Sequence, residues 1–183
     1  MQATEQSVAL YKYDLCKLVC NRSYEFTNGK NTEKERNNML KGISPMLSPE
    51  LLKILCEMGH SDTIVIADGN FPAETMGRNG IVLRMDGHGV PEILEAILTV
   101  FPLDQYVEKP VSLMERVSGD NADVSIWKTY ENMIEKAEPR GTSVIQKLER
   151  FAFYEESKKA YCVIATSETS QYANVILQKG CVL

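Results

Sequence analysis

Polar and apolar positions alternate along the chain in two rhythms, one at helical spacing and one in short unbroken runs. Leu51, Leu52, Ile54, Leu55 and Met58 recur every three to four residues after Ser48-Pro49-Glu50, which predicts a helix. Ser48 can accept from the free N–H groups of its first turn, Pro49 stands where no donor is needed, and Glu50 complements the positive end of the dipole. Gly59 is expected to end this helix in a left-handed cap. Thr63 to Ala67 is apolar throughout, the pattern of a central strand covered on both faces.

Further strands are predicted at Ile81-Val82-Leu83-Arg84, Val111 to Val117, Val144 to Leu148, Tyr161 to Thr166 and Asn174 to Gln178. Helices are predicted over Val90 to Val100, where Pro91 suits the start and Pro102 the close, over residues 122 to 137, and over Arg150 to Lys159. Six strands interleaved with four helices describe an α/β fold. The spacing of the last two strands suggests that they pair and that the sheet is mixed. Residues 1 to 38 differ in pattern. Val8 to Cys20 has the spacing of a short amphipathic helix and Asn28 to Asn38 reads as a polar linker, so a partly helical or disordered extension is expected before a domain over residues 39–183.

Composition narrows the function. Net charge is −5, and residues 1 to 38 hold six basic and five acidic side chains, leaving 14 basic and 20 acidic beyond, a net of −6. Such an acidic body argues against nucleic acid or an anionic membrane surface as partner. No apolar run reaches the roughly 18 residues of a membrane span, and the first residues lack the pattern of a secretory leader, so a cytoplasmic protein is expected. The five cysteines, Cys16, Cys20, Cys56, Cys162 and Cys181, read as reduced thiols, the last three in or beside buried elements, and Cys16 with Cys20 lacks the second pair that a zinc site needs.

The chain has only two histidines, His60 and His88. A lone histidine at a helix end is more often structural than catalytic, but His60 lies in a helix-to-strand turn that can face a cleft, and Asp68 follows the same strand. The two are not expected to touch, because five extended residues cover roughly 16 Å. Motifs for dinucleotides, nucleotide phosphates, an esterase serine and a metalloprotease zinc are absent, which leaves cofactor-free chemistry with no metal. Arg150-Phe151-Ala152-Phe153-Tyr154-Glu155 and Ser170-Gln171-Tyr172-Ala173-Asn174 each set a phenol beside hydrogen-bonding groups. On spacing alone, the better reading of Phe151, Phe153 and Tyr154 is as core aromatics of a short helix.

Taken together the motifs carry a resemblance. Leu40-Lys41-Gly42-Ile43-Ser44-Pro45, Leu47-Ser48-Pro49-Glu50-Leu51-Leu52, Met58-Gly59-His60 with Asp62, Ala67-Asp68 with Asn70-Phe71-Pro72-Ala73, Arg84 with Asp86-Gly87, Phe151 with Phe153-Tyr154-Glu155, and Tyr172 with Asn174 occur in order. In these, residues 39 to 183 resemble the L-fucose mutarotase family, relatives of D-ribose pyranase.

The resemblance implies a three-layer α/β/α fold with a central mixed sheet of about six strands. It implies an isomerase without cofactor that interconverts α and β anomers of L-fucose, with His60, Tyr154 and Tyr172 catalytic and Asp68, Arg150 and Asn174 lining the sugar site. It further implies a homo-oligomer, a decamer of stacked pentamers with sites near subunit boundaries. Mutarotation needs a proton taken from the anomeric hydroxyl and one given to the ring oxygen, which an imidazole and a phenol can share. Two alternatives stay open: pyranose/furanose interconversion of the D-ribose pyranase type, and a non-catalytic monosaccharide-binding protein. The extension before Met39 lies outside the resemblance, Gly77 to Gly80 and Asn121 to Ser143 match it loosely, and Asn70 is a candidate for substrate choice.

Overall fold

A computed structural model of the protein describes residues 40–182. The expected extension, the start of the domain at Met39, and Cys16 and Cys20 all lie outside the described residues.

Six strands form one sheet in the order β2-β5-β1-β6-β3-β4: β1 Thr63–Ala67, β2 Ile81–Met85, β3 Val111–Met114, β4 Ile145–Leu148, β5 Cys162–Thr166 and β6 Val175–Gln178. β1 and β2 both run parallel to β5, and β3 runs parallel to β4. β6 is antiparallel to both β1 and β3, so one reversed strand makes the sheet mixed. The last two strands do not pair with each other, contrary to the sequence expectation. β1 lies between them, because its uninterrupted apolar run needs a neighbour on each side as well as cover on each face.

Among the described residues five helices cover the sheet, giving the three layers expected: α1 Pro49–Glu57, α2 Ala73–Met76, α3 Val90–Leu98, α4 Ile126–Ala137 and α5 Arg150–Ser157. Side chains alternate across the pleat. Ile64 and Ile66 of β1, Ile164, Leu113 and Leu177 pack with α1, α3 and α4, whereas Val65, Ala67, Val163 and Ile176 pack with α2 and α5 through Ala73 and Phe153.

Helix α1 begins as read, with the Ser48 hydroxyl accepting from the Leu51 N–H at 3.1 Å. It ends differently. Met58 closes it in extended backbone (φ −61°, ψ 134°), and the left-handed conformation falls on Ser61 (φ 71°) rather than on Gly59. The reason is that side chains replace the glycine cap: Lys179 Nζ donates to the Leu55 and Met58 carbonyls at 2.7 and 2.5 Å, and Asp62 Oδ2 takes the Gly59 N–H at 2.6 Å.

Other boundaries shift for local reasons. β3 stops at Met114 and α4 starts at Ile126, since the intervening residues turn at Gly119 (φ 86°) and Asp123 accepts from the Ser125 N–H. A 3₁₀ turn over Gly141–Val144 precedes β4, and the short α2, opened by Pro72 with Glu74 in its first turn, was not predicted. Cys162 is buried as expected, but Cys56 is exposed on the outer side of α1.

Candidate active site

Because five strands run one way and β6 the other, one edge of the sheet gathers the C-terminal ends of five strands and the start of β6. Open α/β sheets bind ligands at such an edge. Asp68 leaves β1 there, Asn174 enters β6, and α5 starts just after β4 with Arg150. A cleft of about 270 Å³ opens between them, lined by Asp68, Arg150, Tyr154, Tyr172 and Asn174, with Asn70, Phe71, Met114 and Gln171. Five of the six residues predicted for the site therefore meet in one place.

Asp68 is 6% exposed and Asn174 3%. They are locked reciprocally: Asn174 Nδ2 donates to Asp68 Oδ2 at 2.8 Å, while the Asp68 N–H donates to Asn174 Oδ1 at 2.9 Å. The Asn70 N–H adds one bond to Asp68 Oδ1 at 3.0 Å. Burial outweighs these donors and pushes the Asp68 carboxyl above its usual range.

Tyr172 is held in left-handed backbone (φ 56°), a conformation costly for a bulky residue. Helix α4 pins it there, as Trp127 Nε1 donates to the Tyr172 carbonyl at 3.0 Å and the buried Tyr130 hydroxyl donates to the Ala173 carbonyl at 2.9 Å. The Tyr172 hydroxyl donates to Asp120 Oδ2 at 2.6 Å, which raises the phenol and lowers the carboxyl. Trp127 and Tyr130 lie on the helix predicted over residues 122 to 137, with no local signal that ties them to the cleft. Asp120 was missed because it lies on a turn without pattern.

On α5, Glu149 caps the first turn by accepting from the Phe151 and Ala152 N–H groups. Arg150 and Tyr154 then fall four residues apart on the face toward the cleft. Arg150 lines the cleft, and its Nε is buried with no hydrogen-bond partner among the described residues. The three aromatics separate by role: Phe153 is fully buried, Phe151 is 62% exposed, and Tyr154 stands edge-on to Phe71 with ring centroids 5.6 Å apart.

His60 is not in this cleft. It lies before β1, at the opposite edge of the sheet from Asp68, as the strand length required. The imidazole is half exposed. Its Nε2 stands 3.2 Å from Asp104 Oδ1 and 3.1 Å from Asp104 Oδ2, and the Tyr106 ring lies edge-on at 5.4 Å. Asp104 is fully buried, and also accepts from the Tyr106 N–H at 2.9 Å and from Gln178 Nε2 at 3.0 Å. Burial opposes its ionisation, yet the bonds from Tyr106, His60 and Gln178 prevail and hold the carboxyl below its usual range. Asp104 was also missed by the sequence reading. His88 makes only an exposed contact with Glu92 at 3.2 Å.

Among the described residues, no group of three or more His, Cys, Asp or Glu side chains is placed to hold a metal ion, and no helix is long and apolar enough to cross a membrane.

Comparison with known proteins gives consistent matches. The model of the RbsD / FucU transport protein family matches residues 41–182. An L-fucose mutarotase of Actinobacillus pleuropneumoniae is 46% identical over 142 residues, covering 78% of this chain and 96% of the relative. The crystal structure of FucU from Bifidobacterium longum superposes with a TM-score of 0.76 at 63% identity, covering 78% of this chain and all of the other. The fucose mutarotase of Streptococcus pneumoniae, solved in complex with L-fucose, superposes with a TM-score of 0.73 at 48% identity, over 79% of this chain and all of that one.

Proposed function

This chain belongs to the RbsD / FucU transport protein family, and from that membership we propose that it is a cofactor-independent isomerase that interconverts the α and β anomers of L-fucose. The observation that carries the reading is the convergence of Asp68, Arg150, Tyr154, Tyr172 and Asn174 on one cleft. Its volume of about 270 Å³ falls just below the span of roughly 300 to 1,000 Å³ usual for drug-sized ligands, which suits one monosaccharide. Phe71 and Tyr154 supply apolar ring surface for a sugar face.

Ring opening removes the proton from the anomeric hydroxyl as a carbonyl forms at C1. The C1–O5 bond breaks, its electron pair goes to O5, and O5 receives a proton. Rotation about C1–C2 and closure by the reverse steps give the other anomer. His60 is the proton carrier for the anomeric hydroxyl. Tyr154 is its partner, because its hydroxyl makes no hydrogen bond within the described residues, whereas the Tyr172 proton is committed to Asp120. Tyr172, Asp68, Arg150 and Asn174 hold the remaining hydroxyls: Asp68 keeps lone pairs for a sugar donor, and Arg150 brings a guanidinium to the cleft wall.

His60 reaches the cleft from a neighbouring copy in a homo-oligomer, a decamer of stacked pentamers. The support is that a single copy separates His60 and Asp68 by the length of β1. Analytical ultracentrifugation checks the assembly.

Saturation-transfer NMR on L-fucose, D-ribose and D-galactose tests the activity. Accelerated exchange between L-fucose anomers is expected. If no sugar exchanges faster with the protein than without it, the enzymatic reading fails; preference for D-ribose would reassign the substrate.

A further inference from the structure

The geometry points to Asp104 as the positioning residue of the proton-carrying imidazole: it fixes the His60 proton on Nε2 and so leaves Nδ1 as the atom that exchanges a proton with the sugar. The inference rests on the reading of His60 as proton carrier and adds which nitrogen acts and what holds it.

The donors around Asp104 assign the tautomer. Both Asp104 oxygens are occupied, Oδ1 by the Tyr106 N–H at 2.9 Å and Oδ2 by Gln178 Nε2 at 3.0 Å, and both of those groups donate. A carboxylate that accepts from every side offers no proton of its own, so His60 Nε2, within 3.2 Å of both oxygens, is a donor. A neutral imidazole that donates from Nε2 has its lone pair on Nδ1.

The clamp is built rather than incidental. The 102–104 segment is stitched to the end of β6 by the Asp104 N–H to the Gln178 carbonyl at 3.0 Å and the Gly180 N–H to the Pro102 carbonyl at 2.8 Å. Gly180 permits this, since a Cβ there would stand 2.5 Å from the Leu103 carbonyl and 2.8 Å from the Asp104 Cα. Arg140 Nη2 holds the Asp104 carbonyl at 2.8 Å. On the other side, the Ser61 N–H donates to the Lys179 carbonyl at 2.9 Å, so the turn bearing His60 and the strand bearing Gln178 move together. The Tyr106 ring, 5.4 Å away and edge-on, limits rotation of the imidazole. The parts match the orienter, base and backbone clamp of a catalytic triad without its nucleophile.

The direct test reads the wild-type protein: multiple-bond proton–nitrogen correlation spectra report the tautomer of each of the two histidines, and the signal set lost in His60→Ala is that of His60. The Nε2–H tautomer is expected; the Nδ1–H tautomer overturns the inference. In a sugar-concentration series of L-fucose exchange, Asp104→Asn is expected to lower kcat on the order of 10²-fold with KM within about twofold, because Asp104 lines no part of the cleft. The double variant with His60→Ala is expected to be no slower than His60→Ala alone, since Asp104 acts only through the imidazole; multiplied losses overturn that. Full exchange in Asp104→Asn beside an inactive His60→Ala defeats the inference and leaves the proposed function intact. Full exchange in His60→Ala takes down the role of His60 and this inference together.

Discussion

The sheet carries a buried carboxylate at each of two opposite edges, and they are held in opposite ways. Asp68, at the edge where β1 ends, receives the Asn174 amide and the Asn70 N–H, and burial keeps its carboxyl raised. Asp104, beside the start of β1, receives Tyr106, Gln178 and His60, and those bonds overcome burial and lower it. What Asp104 has and Asp68 lacks is His60, a partner able to carry positive charge. Asp68 lines the cleft, whereas Asp104 lines no part of it and serves its neighbours. One edge carries the cleft and the other the His60–Asp104 contact.

The two edges separate most sharply when one is disabled at a time. His60→Ala and Asp68→Asn are each expected to reduce L-fucose exchange by about 10²- to 10⁴-fold, measured by saturation transfer. Co-expressed, the two variants should regain about a quarter of wild-type exchange, as random mixing pairs an intact cleft with an intact imidazole at that frequency in a ring; no recovery would place both groups in the same copy.

Next in size is the layer beneath the cleft. Phe153 is fully buried and Phe151 is exposed on the same helix. Phe153→Ala should lose about 3 to 5 kcal/mol in denaturant unfolding, while Phe151→Ala should stay near wild type.

The phenols give a finer contrast. Tyr154→Phe is expected to lower kcat by more than tenfold and Tyr172→Phe to act mainly on KM, because the latter proton already belongs to Asp120. The reverse pattern would exchange the two roles.

The smallest effect is on acid stability. A raised folded pKa means the folded chain holds the Asp68 proton longer than the unfolded one, so its contribution weakens as pH rises from the ordinary 3.8 through the folded value. For Asp104 the folded pKa is lowered, so its contribution is full above 3.8 and lost as pH falls through the folded value. In thermal melts, the Tm of Asp68→Asn relative to wild type should rise with pH, and that of Asp104→Asn should fall.

Much of this was legible in the sequence where a pattern is local. The apolar run Thr63 to Ala67 gave the central strand, and its length separated His60 from Asp68 before any coordinates. The cleft set Asp68, Arg150, Tyr154, Tyr172 and Asn174 came through ordered motifs and does converge. What escaped depends on distant partners. Gly59 looked like the cap of α1, but Lys179, more than a hundred positions along the chain, does that work. Asp104 follows a buried Leu103 in a loop without periodicity, and only its bonds to His60 and Gln178 give it meaning. Asp120 is similar: a turn residue in every local respect, tied to Tyr172 by one long-range bond. Propensity registers neighbours in sequence, and these contacts have none.

The position of β1 also bears on how the protein is made. It is the first strand among the described residues, and both of its neighbours, β5 and β6, come far later, with Ile64 paired to Cys162 and to Leu177. At roughly 5–20 residues per second, a ribosome delivers those partners about 5 to 20 seconds after β1 emerges. For that interval the most apolar strand of the sheet has two open edges, the exposure that long-range strand pairing imposes on a chain during synthesis.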